Sequence, residues 1–307
     1  MQGYLKKAAE GNYREALELI KRESPFPAVC GRVCNHRCED ACTRGTIDQP
    51  IAIDAVKKFI AEQDLNEEHR FVPEINIASS VLKHWEEKIA IIGGGPAGLS
   101  CAYYLATMGY KPTVFEKNDI PGGMLQYGIP SYKLDKAVIK AEIDIMREIG
   151  VEIRTGVEVG KNITIQQLRE EGYKGFYVAI GCQGGRLPGI PGEKLTGVTT
   201  AIDFLHEANC GGREVEGRVV VVGGGNVAID AARVAKRGGA AEVTMLSLET
   251  EDIMPASLEE RREAREDGIV INPGWGPKEL LGETENGERK TENGERKTEN
   301  GKRRTER

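Results

Sequence analysis

Residues 88–117 read KIAIIGGGPAGLSCAYYLATMGYKPTVFEK, and the way this stretch folds decides the reading of the rest of the chain. A short apolar run, Ile89–Ile92, ends in three glycines; an apolar helical pattern follows, then a second apolar run closing on Glu116. The run from Ile89 to Tyr110 carries no charge, yet GGGPAG interrupts it after four apolar residues, so strand, turn and helix fit better than a membrane span. Gly93, Gly95 and Gly98 form G-x-G-x-x-G directly after the strand. The first glycine permits the tight turn, the second lets backbone approach a pyrophosphate, and the third lets helix and strand pack closely. The helix then points its N-terminus at the phosphates, and Glu116 can accept hydrogen bonds from ribose hydroxyls.

The rhythm repeats at 218–249, RVVVVGGGNVAIDAARVAKRGGAAEVTMLSLE. Gly223, Gly225 and Ala228 follow the strand Val219–Val222, alanine being an accepted third residue, and Glu249 takes the acid position. A carboxylate there favours a free ribose 2′-hydroxyl and repels a 2′-phosphate, which argues for NADH over NADPH; the plainer alternative is a solvated strand end. VEIRTGVEV (151–159) and GFYVAIG (175–181) between the repeats are strand-like. The expected fold class is therefore α/β, with two Rossmann-type nucleotide-binding domains, the second inserted in the first. Two dinucleotide sites in one chain imply relay chemistry, hydride passing from nicotinamide to flavin, which can release electrons singly.

Outside this region the chain changes character. Before it, Tyr4, Leu5, Ala8, Ala9 and then Tyr13, Ala16, Leu17, Ile20 follow helical spacing, and Ala52–Gln63 reads as a helix with Ala55, Val56, Phe59 and Ile60 on one face. Residues 71–87 read as a connector. After Lys278, GETENGERKTENGERKTENGKRRTER (282–307) repeats a seven-residue unit with no apolar residue to bury, and a disordered tail is expected.

Between the N-terminal helices lies CGRVCNHRCEDAC (30–42), with Cys30, Cys34, Cys38 and Cys42 at a spacing of four. Disulfides, zinc, an iron–sulfur cluster or one cysteine-lined helix face are all open readings. MQGYLKKAAEGNYREALELI (1–20) is amphipathic and charged and does not read as a signal peptide, so a cytoplasmic protein is expected, in which persistent disulfides would be unusual; that favours metal or cluster ligation. Zinc sites more often use C-x-x-C pairs, and none occurs here. The net charge of −6 over 307 residues argues against a general nucleic-acid binder and gives no hint of membrane attraction. No Ser-His-Asp arrangement or H-x-x-x-H helix is present; His36, His69, His84 and His206 are scattered, and Cys101, Cys182 and Cys210 are isolated.

FPAVCGRVCNHRCEDACTRG (26–45), QPIAIDAVKKFI (49–60), IIGGGPAGLSCAYYLATMGY (91–110), PGGMLQYGIPSYKL (121–134), VAIGCQGGRLPGIPGE (178–193), VVVGGGNVAIDAARVAKRGGA (220–240) and MPASLEERREAREDGI (254–269) occur in an order that resembles the small, or beta, subunit of glutamate synthase and its relatives. Those relatives include NADH-dependent ferredoxin:NADP oxidoreductase and the N-terminal part of dihydropyrimidine dehydrogenase. The resemblance implies a helical iron–sulfur module at 1–70, an FAD domain at 88–200 and an NAD(P) domain at 201–281. By that resemblance Gly93, Gly95, Pro96, Ala97, Gly98, Glu116 and Lys117 would hold the FAD adenosine and pyrophosphate. Gly122 and Gly123 would let the backbone approach the flavin, and Gly181 would mark the strand crossing between domains. Gly223, Gly225, Asn226, Ala228 and Glu249 would hold NAD(P)H. Cys34, Cys38 and Cys42 would ligate a 4Fe-4S cluster, with Cys30 a bystander or a stand-in for a fourth ligand.

Departures from the pattern carry expectations of their own. Relatives using NADPH have an arginine pair where this chain has Leu248 and Glu249, which again favours NADH. A first cysteine motif upstream and a Gly-Asp segment that closes the FAD site have no counterpart. Truncation at both ends, weakened FAD binding and exposed apolar surface are the corresponding expectations. The implied activity is electron transfer from NAD(P)H through FAD to an iron–sulfur acceptor. Implied partners are a larger oxidoreductase or amidotransferase subunit or a ferredoxin-type acceptor; a non-catalytic dinucleotide-binding subunit is the alternative.

Overall fold

A computed structural model describes residues 2–66, 70–73, 87–212 and 214–282 together with the backbone of 283 and 289–290. Most of the connector at 71–87, His69, His84 and most of the tail at 282–307 lie outside the described residues. The chain divides into two compact units, Met1–Cys182 and Gln183–Arg307.

The first unit opens with α1 (Gln2–Ala9) and α2 (Tyr13–Lys21), continues through α3 (Pro27–Val33) and the short α4 (Arg37–Asp40), and reaches α5 (Ile53–Glu62) after a 3-10 turn at Thr43–Thr46. Ala16, Leu17 and Ile20 of α2 pack on Ile60 of α5, as their helical spacing predicts. The inward edge of α5 differs from the expected one: Ile53, Ile60 and Ala61 are buried, whereas Ala55 and Phe59 are exposed. The helix serves two neighbours, Ile60 facing the α2 cluster and Ala61 the core of the sheet region, so its buried positions are not a single stripe.

The sheet of this unit consists of β1 (Lys88–Ile92), β2 (Lys111–Phe115), β3 (Glu152–Arg154) and β4 (Tyr173–Val178), all parallel, in the order β3-β2-β1-β4. Alternation along β1 sends Ile91 to one face and Ala90 to the other. Ile91 meets α6 (Pro96–Thr107) and α8 (Lys136–Glu148) through Leu99, Ala102, Ile139 and Ile143. Ala90 meets Phe115, Tyr173 and Leu168 of α9 (Ile165–Glu170). Phe26, Ala28, Val29 and Ala61 enter the same cluster as Ile91 and Leu99, so the N-terminal helices share a core with the sheet. Polar groups cross this junction as well. Lys21 and Asp64, both buried, form an ion pair, and the Tyr103 hydroxyl donates to the Lys21 carbonyl at 3.1 Å.

The second unit contains α10 (Ala201–Gly211), β5 (Arg218–Val222), α11 (Asn226–Arg237), β6 (Glu242–Ser247), α12 (Leu258–Glu266) and β7 (Val270–Pro273). Its strands are parallel in the order β5-β6-β7, and Ile229, Ala232, Val243, Met245 and Ala264 fill its core. A two-residue ladder pairs β8 (Gly282–Glu283) with β9 (Arg289–Lys290). Among the described residues no strand pairs with the far edge of β5, and Val220 and Val222 are 61% and 46% exposed. No described helix is long and apolar enough to cross a membrane.

Candidate dinucleotide sites and the cysteine segment

In the first unit the glycine turn, the acid and the PGGML loop, with its short helix α7 (Met124–Tyr127), come together. Gly93 has φ +111°, and a Cβ there would lie 2.3 Å from the Ala179 carbonyl oxygen at the end of β4. A Cβ on Gly98 would lie 2.0 Å from the Gly93 carbonyl oxygen, so both positions require glycine. Glu116 is buried, and its two carboxylate oxygens accept the Gly94 N–H at 2.7 Å and the Asn118 N–H at 2.9 Å. Each oxygen keeps a further acceptor site for a ribose hydroxyl. The Gly122 N–H donates to the Gly94 carbonyl at 2.7 Å, and Gly123, at φ +55°, packs against the Gly95 backbone. Pro96, Ala97 and Lys117 are exposed around this turn, while Gly181, at φ +71°, lies three residues beyond β4 in open space.

The second unit repeats the arrangement with different chemistry at the acid. Gly223 has φ +145°, and the Ala256 N–H donates to the Gly224 carbonyl at 2.9 Å, as Gly122 does to Gly94. The Asn226 side chain accepts the Ser257 N–H at 3.0 Å, which ties the start of α11 to the start of α12. Glu249 accepts the hydroxyl of buried Ser247 at 2.7 Å; this bond and its own N–H hold its carboxyl below the usual range, so it is ionised at neutral pH. Ser247 and Trp275 were not legible as site residues. Trp275, 67% exposed, is placed beside the acid by its N–H to the Ser247 carbonyl at 2.8 Å, and Leu248 is exposed on the same strand end. Trp275 is one of two tryptophans in the chain and stands two residues beyond β7.

Both glycine turns lead into helices whose first N–H groups no N-cap side chain occupies, a feature α2 shares. Asp135, Thr164, Thr200 and Ser257 cap α8, α9, α10 and α12 with side-chain oxygens, whereas α6 and α11 begin at Gly95 and Gly225 with no side chain on their first N–H groups. A Cβ on Gly225 would meet nothing within 4 Å, and on Gly95 only the Gly123 Cα at 3.8 Å. Open backbone donors behind an open approach fit a pyrophosphate at both turns.

The cysteine segment is not one helix. Cys34 is extended at the end of α3, His36 has φ +53°, and Cys42 is extended again before the 3-10 turn, so a spacing of four does not align the thiols on one face. All four are free and partly exposed. Burial pushes the Cys30 thiol up, while backbone N–H groups of Ile51, Arg44 and Gly45 hold that of Cys42 below its usual value. Asp54, buried nearby, lies 2.7 Å from the Lys57 ammonium and 3.4 Å from the His36 ring, and its N–H donates to Glu39 at 2.8 Å. Among the described residues, no three Cys, His, Asp or Glu side chains converge closely enough to hold a metal ion. The segment supplies thiol donors of the type a four-iron cluster takes.

Residues 87–303, most of the chain, match the family described as pyridine nucleotide-disulphide oxidoreductase. The chain belongs to this family. Its residues 1–69 match the dihydropyrimidine dehydrogenase domain II, 4Fe-4S cluster family, in line with the resemblance carried by the cysteine and glycine motifs. Among curated relatives, a glutamate synthase [NADPH] small chain from Halomonas elongata is 39% identical over 293 residues, 91% of this chain and 61% of the relative. An NADP(+)-dependent formate dehydrogenase subunit beta from Moorella thermoacetica is 36% identical over 305 residues, 92% of this chain and 43% of its own length. The NAD-dependent dihydropyrimidine dehydrogenase subunit PreT of Escherichia coli K12 is 35% identical over 279 residues, 88% of this chain and 64% of its own length. The chain thus spans about half the length of such relatives. Mycobacterium tuberculosis FprA in complex with NADPH shares the fold, with TM-score 0.52 and 24% identity over 59% of this chain and 48% of that one.

Proposed function

We propose that the chain is a flavin-dependent NAD(P)H oxidoreductase subunit, with FAD on the Gly93–Gly98 turn and NAD(P)H on the Gly223–Ala228 turn. The observation that carries this reading is the matched pair of uncapped helix starts, each behind a glycine turn and each with a strand-end carboxylate beside it. Bound FAD supplies the ability to take a hydride and release electrons singly. The protein's own work is positional. Backbone N–H groups at the starts of α6 and α11 neutralise phosphate charge, and Glu116 fixes the adenosine end through its ribose. No side chain need move a proton for hydride transfer, so no acid–base residue is assigned. Electrons would leave to an iron–sulfur acceptor on a larger oxidoreductase or amidotransferase subunit, or to a ferredoxin-type protein, in the cytoplasm. Relatives named as subunits support a partner.

Glu249 makes the nicotinamide site selective. Its ionised carboxylate would face a 2′-phosphate with like charge and a 2′-hydroxyl with an acceptor. The chain should therefore reduce a one-electron dye faster with NADH than with NADPH. Glu249→Arg should shift the ratio of kcat/KM values toward NADPH on the order of tenfold to a hundredfold. Purified protein should be yellow or take up FAD on reconstitution. Colourless protein that binds NADH but reduces no dye would instead support the non-catalytic alternative, and an NADPH preference in the unaltered chain would sink the role given to Glu249.

A further inference from the structure

We infer that Glu142 is a positioning residue: its buried carboxyl holds the cysteine-bearing helix α3 onto α8, and through α8 onto the turn at Gly122. The Glu142 oxygens accept the N–H groups of Ala28 at 2.8 Å and Val29 at 3.0 Å. These are first-turn donors of α3 with no carbonyl partner inside their own helix, and Phe26, at the cap, offers no side-chain oxygen. A carboxylate more than a hundred residues away in the chain therefore caps the helix that carries Cys30.

The other contacts of α8 explain why this position matters. Two turns earlier, the Lys136 ammonium donates to the carbonyls of Leu125 at 3.0 Å and Ile129 at 2.6 Å, fixing the loop that follows Gly122 and Gly123. One turn earlier, Ile139 stands 3.3 Å from where a Gly122 Cβ would be. Lys136, Ile139 and Glu142 recur every third residue, so successive turns of one rigid helix hold the glycine loop and the cysteine helix. Leu125, Ile139, Ala28 and Val29 all belong to one apolar cluster. On the reading that this loop approaches a flavin, α8 sets the separation between the flavin and the thiols.

This junction is also linked to protons. Burial pushes the Glu142 carboxyl up to about 7, against the pull of the Ala28 and Val29 N–H groups and of Lys21; Asp64 pushes it further up. Lys21 and Asp64 are paired with each other, and Cys30 also senses Glu142. Released into water, the carboxyl would return to its ordinary range near 4.3. A carboxyl with a raised value in the docked state favours docking at low pH and loses that support as pH rises through 7. The docking equilibrium should weaken about tenfold between pH 6 and pH 8.

Amide hydrogen exchange on the full chain tests this, with protection corrected for the chemical rate at each pH. Ala28 and Val29 should lose about tenfold protection from pH 6 to pH 8 in the unaltered protein. In Glu142→Gln that slope should vanish, because the carboxamide does not titrate. In Glu142→Ala both amides should exchange at least tenfold faster at pH 6 while Leu99 in the core keeps its protection. Should the alanine variant lose Leu99 protection too, the slope in Glu142→Gln decides. The inference is overturned if the Glu142→Gln variant retains the slope of the unaltered protein, or if a folded alanine variant protects Ala28 and Val29 undiminished. Neither readout requires FAD. A chain that takes up no flavin would therefore sink the proposed function and leave the clamp standing.

Discussion

Gly98→Ala should purify without flavin and unfold well below the unaltered chain. Its Cβ would sit 2.0 Å from the Gly93 carbonyl oxygen and 3.1 Å from Ile91 Cγ2, and the first of these neighbours is backbone. Relief requires moving α6 away from β1, which opens the core at Leu99 and Ala102 and pulls the open N–H groups off the phosphate position. Overpacking of this kind costs about 1–3 kcal/mol where side chains can yield, and more where backbone must. Gly95→Ala is the matched control. Its φ of −80° suits any residue, and its nearest neighbour would be 3.8 Å away. That variant should melt like the unaltered chain, so any loss of flavin affinity reports a ligand that needs the space. Melting temperature and flavin absorbance decide the pair. A Gly98→Ala protein with stoichiometric flavin and unchanged melting would refute the tight-turn argument. The second unit accepts Ala228 at the corresponding place, so the two turns differ in how closely helix and strand approach.

Asp64→Ala should be the most destabilising single change at the junction of the N-terminal helices and the sheet. Lys21 and Asp64 are 2% and 3% exposed, and the Lys21 ammonium also donates to the Phe71 carbonyl at 3.0 Å. Burial already pulls the Lys21 ammonium below its ordinary value against the attraction of Asp64. Removing Asp64 leaves a buried cation without its counter-charge, at a cost of about 3–5 kcal/mol. The melting temperature of the chain should fall on the order of 10 °C. Replacing both residues, as in Lys21→Met with Asp64→Leu, should recover most of the loss, since two apolar side chains need no counter-charge. Equal melting of the single and double variants would mean that the pair contributes packing and little else.

What could be read ahead of the structure was whatever a local pattern dictates. Strand, glycine turn, helix and acid follow from the spacing at 88–117 and 218–249, and Gly98 answers a contact within its own βαβ unit, whereas the Ala179 carbonyl that excludes a side chain at Gly93 comes from a later strand end. The α1 and α2 helices followed from apolar positions at helical intervals. Long-range placements were not legible. Glu142 lies among apolar residues on α8, and nothing in KAEIDIM announces that its carboxyl caps a helix near residue 28. Ser247 sits in a strand where a small polar residue is unremarkable, and its bond to Glu249 depends on how the strand end turns. The even cysteine spacing left one cysteine-lined helix face among the open readings, but the extended backbone at Cys34 and the left-handed one at His36 separate α3 from α4, a local choice that spacing alone does not encode.

The side of β5 left uncovered among the described residues bears on how the protein behaves at high concentration. Arg218–Val222 presents a ladder of unpaired backbone groups flanked by exposed valines, with neither proline nor an inward-facing charge to blunt it. An edge of this kind templates strand addition, and chains meeting through it would stack by backbone bonding that salt does little to loosen. A lysine at Val220 would guard this edge without touching the glycine turn that follows.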